Sequence, residues 1–251
     1  MQAYWTLVRR EIGSHFLSWS GYVVVAATVF LIGLNLIILI ESFGNQATHR
    51  PIAELFCGSY PFWIILLLAP PVVTMRAFAL EKSSGTFETL MTTPVSDTSV
   101  VLAKFTGAMV VYTCLWLPLL PCLWMVQRFA RDPLILDQSS IGGAFLGILL
   151  IGMVFMSIGC LSSAMTRSQT VAAIISFCAG TSLLLLSFLA WAYSGDAMSV
   201  KGRFFTQINL VEQLQDFASG VVDTRPLILY ASLTGFFLFF TKRVVESRRW
   251  K

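Results

Sequence analysis

Few residues in this 251-residue chain have side chains that could carry out chemistry. The two histidines, His15 and His49, stand in no HExxH pattern. There is also no GxxxxGK(S/T) loop of the kind that holds nucleotide phosphates in Walker-type ATPases. The five cysteines show no metal-binding spacing, and most lie in or beside apolar runs, where cysteine usually acts as a small apolar residue. We therefore expect a protein that is not an enzyme and that holds no metal and no cofactor of its own.

The composition indicates the kind of fold that holds these residues in place. The chain is 56% hydrophobic and 12% charged, whereas a soluble domain is about a quarter charged. A membrane-spanning helix needs about 20 apolar residues. The sequence thus predicts an all-α polytopic membrane protein, a single transmembrane domain over 1–251, with spans at 21–40, 62–80, 105–126, 144–164, 170–191 and 226–241.

The predicted spans are almost free of charge. Glu41 and Arg76 lie at span ends, not in the middle. Ionisable residues deep in a membrane usually mark ion or proton paths. A proton-coupled carrier is therefore disfavoured, and any energy for transport must come from outside the spans.

Basic residues predict the orientation of the chain. Cytoplasmic loops carry an excess of Lys and Arg, and most of the 17 basic residues fall on the side that holds both termini. Both termini, the loop 81–104 and the turn at Arg167 are thus expected in the cytoplasm. The residues on that side are Arg9, Arg10, Arg76, Lys82, Lys104, Arg167, Lys242, Arg243, Arg248, Arg249 and Lys251.

Residues 1–20 precede the first span and have helical amphipathic spacing. Trp5 and Ile12 belong to an apolar stripe, and Arg9 and Arg10 can anchor at lipid headgroups. We predict an interfacial helix. Two roles stay open: a plain membrane anchor and a contact for a partner protein. The stripe consists of Trp5, Val8, Ile12, Phe16 and Trp19.

The last loop on the opposite side, 194–225, is too long for a simple turn. Asn209 and Glu212 have the spacing of a capping box. We predict a short outer amphipathic helix from Leu210 to about Ala218 that ends at Gly220. A loop helix without a role in transport is the alternative.

Prolines and glycines mark further features of the spans. Pro70, Pro71, Pro118 and Pro121 predict bends in spans two and three, either static or at moving parts. The fourth span is rich in glycine, which favours close helix packing over a substrate path. Its glycines are Gly142, Gly143, Gly147, Gly152 and Gly159.

The stretch 81–94, EKSSGTFETLMTTP, is a polar connection with an apolar stripe. Phe87, Leu90 and Met91 lie on one face of a short helix, for which Ser84 or Gly85 could be the cap. Pro94 limits this helix to about two turns. Ser96 then predicts a new N-cap for the third span.

Two segments resemble a known family. The motif E-x-x-x-G-T-x-E-x-L-x-x-x-P-(V/I)-S followed by Lys resembles that of ABC-2-type transporter permeases. It is matched by Glu81, Gly85, Thr86, Glu88, Leu90, Pro94, Ser96 and Lys104. The tail is similar to the gliding-motility-associated branch of these permeases. Its matching residues are Gly220, Val222, Asp223, Tyr230 and 246–250.

The resemblance implies a permease subunit in a bacterial inner membrane. It would form a homodimer, or pair with a related permease, and bind a separate cytoplasmic ATPase that holds the ATP and Mg. A membrane-anchored extracytoplasmic auxiliary subunit is a further possible partner, and no nucleic acid is expected. The short cytoplasmic helix would couple the two subunits. The coupling residues would be Glu81, Gly85, Thr86, Phe87, Glu88, Thr89, Leu90, Met91 and Arg167.

Three points stay open in the sequence. The main rival function is a non-transporting membrane scaffold of a secretion or motility complex, and a stand-alone channel or secondary carrier is a second rival. The spans name no cargo. Glu81 could contact the ATPase or pair internally with a base such as Arg76 or Lys104.

Overall fold

The computed structural model describes residues 2–43, 51–87, 95–129, 138–193 and 209–247. Within these ranges the chain forms helices and no β-strand. We number them α1 (Gln2–Phe16), α2 (Trp19–Phe43), α3 (Ile52–Gly58), α4 (Tyr60–Thr74), α5 (Ala79–Ser84), α6 (Asp97–Trp116), α7 (Leu119–Phe129), α8 (Gln138–Met165), α9 (Gln169–Tyr193), α10 (Leu210–Ala218) and α11 (Thr224–Ser247).

Six stretches of the described chain are long and apolar enough to cross a membrane, which confirms the all-α polytopic fold. They are Gly21–Glu41, Tyr60–Ser84, Asp97–Val126, Ser139–Met165, Gln169–Leu189 and Thr224–Ser247. The fourth, within α8, lies at the centre of the bundle, and 67% of its most apolar 18-residue stretch is buried. The end that carries α1 and α5 is called the N-terminal end below, and the end that carries α3 and α10 is called the opposite end.

Glycines let the neighbouring helices approach α8 closely. A Cβ atom on Gly152 would lie 2.1 Å from a ring carbon of Tyr112, and one on Gly159 would lie 2.0 Å from the hydroxyl of Thr74. These contacts confirm the prediction of close packing, except that Gly142 has no neighbour within 4 Å of a built Cβ.

The second predicted span is broken near its own C-terminus, at the N-terminal end of the bundle. Pro70 and Pro71 lie inside α4, and the chain turns at residues 75–78 before α5 begins. Ser163 of α8 stabilises this break, because its hydroxyl accepts hydrogen bonds from the amides of Phe78 and Ala79, both at 3.0 Å. The break thus has partners for its backbone inside the bundle.

The third predicted span is also interrupted. Helix α6 ends at Trp116, and α7 begins at Leu119, so the turn falls at Leu117 and Pro118. Its start was predicted correctly, since Asp97 opens α6 and the hydroxyl of Ser96 accepts from the Ser99 amide at 3.3 Å.

At the opposite end, two short helices pack on the bundle. Helix α10 occupies the residues predicted to be helical, and the Asn209 side chain accepts from the Glu212 amide at 3.3 Å. It is held by Gln213, whose side-chain oxygen accepts from the Tyr230 hydroxyl at 2.6 Å. Helix α3 was not predicted, because its seven residues lie between two longer apolar runs and show no distinct periodicity.

The last helix continues beyond the predicted end at residue 241. Helix α11 runs to Ser247, and Val245 within this extension is buried. Lys242 and Arg243 fit into it through ion pairs with Glu246 at 3.4 and 3.2 Å.

Candidate functional site

Four charged side chains meet at the N-terminal end, and we call them the charged corner: Arg10, Glu11, Glu81 and Lys104. The Lys104 Nζ lies 2.8 Å from Oε1 of Glu11 and 2.9 Å from Oε1 of Glu81. A guanidinium nitrogen of Arg10 lies 2.6 Å from the same Glu81 oxygen and 3.5 Å from Glu11. Two cations and two carboxylates therefore balance across three helices, α1, α5 and α6.

Burial makes this pairing necessary. The Lys104 side chain is 3% exposed, and those of Glu11 and Glu81 are 12% and 14% exposed. A buried charge is tolerated only when it is paired and hydrogen-bonded. The question of which group Glu81 serves thus has a structural answer: Glu81 pairs internally with Lys104, and with Arg10 at the surface.

Complementary spacing brings α1 onto α6. Lys104 and Gly107 lie three residues apart on α6, as do Val8 and Glu11 on α1, so each pair occupies one helix face. A Cβ on Gly107 would lie 2.8 Å from the Cβ of Glu11, so only glycine permits this approach. Tyr4 adds a hydrogen bond to Thr106 at 3.0 Å.

Helix α1 is therefore packed on the bundle along part of its surface. Val8 is buried at 5% exposure and Ile12 is half-buried. Trp5, which is 67% exposed, and Arg9 point away from the bundle. The predicted stripe is thus divided between a face on α6 and a face that is open to lipid or to another protein.

Helix α5 is fixed to α8 on its other side. The Lys82 ammonium donates to the backbone oxygen of Ala164 and lies 5.2 Å from the ring centre of Phe87. Phe87 is buried at 8% exposure within the apolar core. Phe87, a predicted coupling residue, thus packs on the protein's own helices.

Gly85 ends α5, and the chain is helical again at Thr86 and Phe87. Its φ of +75° is a left-handed conformation that suits glycine at a helix C-terminus. Gly85 and Thr86 are exposed, and the Thr86 hydroxyl lies 2.9 Å from that of Ser84. Of the predicted coupling residues, Glu88, Thr89, Leu90 and Met91 lie outside the described residues.

The turn between α8 and α9 lies at the same end of the bundle. Arg167 is exposed at its centre, and the Thr166 hydroxyl donates to the backbone oxygens of Ser162 and Ser168. Because Lys82 bonds to Ala164, this turn is close to α5. The tertiary structure thus brings the segments of Trp5, Arg9, Gly85, Thr86 and Arg167 to one end.

His15 lies beside the charged corner and responds to it. Burial lowers its pKa below the ordinary value of 6.5, the Glu11 carboxylate opposes this shift, and the positive charges of Arg76 and Lys104 add to it. The neutral imidazole is therefore favoured in the folded protein.

The arrangement can transmit force between helices. In the described part of the chain its buried charges form ion pairs with each other. A displacement of α5 must move Lys104, and with it α6 and α1, or else leave a buried charge without its partner. Such an ion-pair cluster therefore links the exposed segment after α5 to two further helices.

Sequence reasoning missed Arg10 and Glu11 as partners of the motif. One signal was present, because Lys104 is a lone cation at the start of an apolar span and must find a carboxylate. Glu11 is an acidic residue on the predicted amphipathic helix, but its match with Lys104 depends on how α1 folds back.

One comparison with known proteins identifies a relationship. A family model described as ABC-2 family transporter protein matches residues 24–234. No curated protein matches the chain. The family match covers most of α2, all of α3 to α10 and part of α11, and so includes most of the described bundle.

Proposed function

Because the chain belongs to the ABC-2 transporter family, we propose that it is the permease subunit of an ABC exporter. It forms the translocation path with a second permease, and a separate cytoplasmic ATPase subunit supplies the energy. One observation carries this proposal: the shared ion pairs of Lys104 link an exposed surface segment to the membrane helices.

The coupling surface consists of the exposed segment at Gly85 and Thr86, the open face of α1 and the turn at Arg167. When the ATPase closes on its nucleotide, it displaces this surface. The pairs of Lys104 with Glu81 and Glu11 carry the displacement into α6 and α1. Separating these pairs would leave buried charges without partners in a low dielectric. Glu81 thus acts as a positioning residue inside the permease and not as a contact to the ATPase.

This proposal places the N-terminal end of the bundle in the cytoplasm of a bacterial cell, with the protein in the inner membrane. The basic residues on that side support this orientation by the positive-inside rule. The opposite end, with α3 and α10, then faces the outside of the cell.

The finer assignment rests on the tail of the chain. Gly220, Val222, Asp223 and Tyr230 resemble the gliding-motility-associated branch, so the proposal includes a membrane-anchored extracytoplasmic auxiliary subunit. Of these residues, Tyr230 has a structural role as well, because it binds Gln213 of α10. Isolation of the complex from native membranes tests this part through its subunit composition.

The experiment is purification of the chain with its candidate ATPase, followed by vanadate-sensitive ATP hydrolysis in liposomes. Gly85→Pro and Glu88→Ala should each weaken complex formation or uncouple hydrolysis from transport. Glu246→Ala is the matched control for the carboxylate change, since the ion pairs of Glu246 within the described part of the chain are with Lys242 and Arg243 on α11. Retention of both complex and coupling in the first two variants would refute the proposed contact. An ATPase complex without any transport would favour the scaffold function.

A further inference from the structure

Helix α5 begins at a residue that cannot cap it. The first amides of an α-helix have no partner within the helix, and a Ser, Thr, Asp or Asn at the N-cap usually accepts from one of them. In the part of the chain that the structure describes, Phe78 occupies the N-cap of α5 and makes no side-chain cap. Phe78 and Ala79 are both fully buried, so water does not reach their amides. The acceptor for these amides must therefore come from another part of the bundle.

Ser163 of α8 supplies this acceptor. Its Oγ accepts from the amides of Phe78 and Ala79, both at 3.0 Å. Its hydroxyl also donates to the backbone oxygen of Met75 at 3.2 Å. A serine hydroxyl has one donor and two acceptor positions, and all three are used on the break between α4 and α5. One fully buried side chain thus fixes the chain before the break and the start of α5.

Helix α5 caps α8 in return. The last carbonyl oxygens of an α-helix also lack partners within the helix, and a lysine side chain can bind them. Helix α8 ends at Met165, and the Lys82 ammonium of α5 donates to the backbone oxygen of Ala164. We call the contacts of Ser163 and Lys82 the reciprocal cap, because each helix satisfies backbone groups at an end of the other.

The same face of α8 also holds the end of α4. Gly159 and Ser163 lie four residues apart and therefore share one face of the helix. A Cβ on Gly159 would lie 2.0 Å from the hydroxyl oxygen of Thr74, the last residue of α4. This face of α8 thus contacts the last turn of α4, the break and the start of α5.

We propose that Ser163 is a positioning residue for the coupling motion. Through the reciprocal cap, α5 and the C-terminal end of α8 move as one unit, so a displacement of the exposed segment at Gly85 reaches the central helix of the bundle. This route is separate from the charged corner, which leads from α5 to α1 and α6. The role in coupling rests on the proposed function, whereas the joining of α5 to α8 is tested on the chain alone.

The first measurement is amide hydrogen exchange on the purified full-length chain. In Ser163→Ala, the amides of Phe78 and Ala79 should exchange about tenfold faster or more, because two buried donors lose their acceptor. Ser162→Ala is the matched control, since Ser162 is also buried and its hydroxyl donates within α8 to the Ile158 backbone oxygen at 2.9 Å. It should leave the exchange of α5 at the parent rate.

The increase in Ser163→Ala should be confined to α5 and the last turns of α8. Equal exchange of α5 in Ser163→Ala and Ser162→Ala would refute the cap. An equal increase over the whole chain would show a general loss of stability and would refute the positioning role.

The second measurement compares the complex with the candidate ATPase with and without ATP and vanadate. In the parent, the nucleotide should change amide exchange in α5 and in the last turns of α8 together. In Ser163→Ala the change in α5 should remain and the change in α8 should be largely lost, because only the flexible side chain of Lys82 still joins them. A full response of α8 in Ser163→Ala would refute the positioning role. A parent complex in which the nucleotide changes neither helix would instead refute the proposed function, and the exchange of the chain alone would still decide whether Ser163 caps α5.

Discussion

Replacement of Lys104 by methionine tests the charged corner most directly. Methionine keeps the length and apolar stem of the side chain but removes the ammonium that Glu11 and Glu81 share at 2.8 and 2.9 Å. Both carboxylates then face each other in a region where they are 12% and 14% exposed, and the half-exposed Arg10 is the cation that still pairs with them among the described residues.

The expected loss follows from this burial. Removal of one partner from a buried ion pair costs about 3–5 kcal/mol, because the remaining charge stays buried without compensation. A protein of this size loses about 2–4 °C in unfolding temperature for each kcal/mol. Lys104→Met should therefore lower the unfolding temperature in detergent by about 6–20 °C.

A matched substitution separates this effect from loss of a lysine in general. Lys242→Met removes an ion pair with Glu246 on the surface of α11, where the lysine is 36% exposed. Such pairs contribute about 0.3–0.5 kcal/mol, so the shift should be within about 2 °C. The triple variant Lys104→Met with Glu11→Gln and Glu81→Gln should recover much of the loss, since no buried charge is left alone. Equal unfolding temperatures for Lys104→Met and Lys242→Met would refute the reasoning.

Three further outcomes are expected. Gly107→Ala should lower the unfolding temperature and expose α1 to limited proteolysis, because its Cβ would collide with that helix at 2.8 Å; unchanged proteolysis would contradict the close approach. The lowered pKa of His15 means that the unfolded chain takes up a proton near pH 6.5 before the folded one does, so stability should fall as pH drops below about 6.5. Between pH 8 and pH 5.5, the unfolding temperature should decrease less in His15→Gln than in the parent chain. The pKa of Asp216 is raised by burial and then by the charges of Glu212 and Asp223. Asp216→Asn should therefore raise the unfolding temperature at pH 7.5, and this increase should become smaller at acidic pH, where the aspartate is protonated. An increase that stays the same at acidic pH would contradict this cause.

Much of the fold was predictable because lipid imposes a strong local rule. A span must be long, apolar and helical to satisfy its own backbone, so the six apolar runs were visible without any tertiary information. Local capping signals were equally direct, as Ser96 and Asn209 begin α6 and α10 where predicted. Helix α3 was missed because seven residues are too few for a period to stand out.

The breaks within spans two and three were only partly predictable. Proline marked where a helix bends, but the hydroxyl that accepts from the free amides of Phe78 and Ala79 belongs to Ser163, more than eighty residues away. A partner at such a distance is set by which helix faces which, and no local pattern encodes it.

The sequence by itself determined the membrane fold, the helix ends with side-chain caps and the motif that contains Glu81 and Lys104, since each depends on residues close in the chain. Only the tertiary structure decided that Glu81 pairs with Lys104 and Arg10, that α1 packs on α6 through Gly107, and that Ser163 of α8 caps α5. The physical reason is that a charge or an amide in an apolar span must find a partner, but its own sequence neighbours do not say which one. That choice is made by the packing of helices that are distant in the chain.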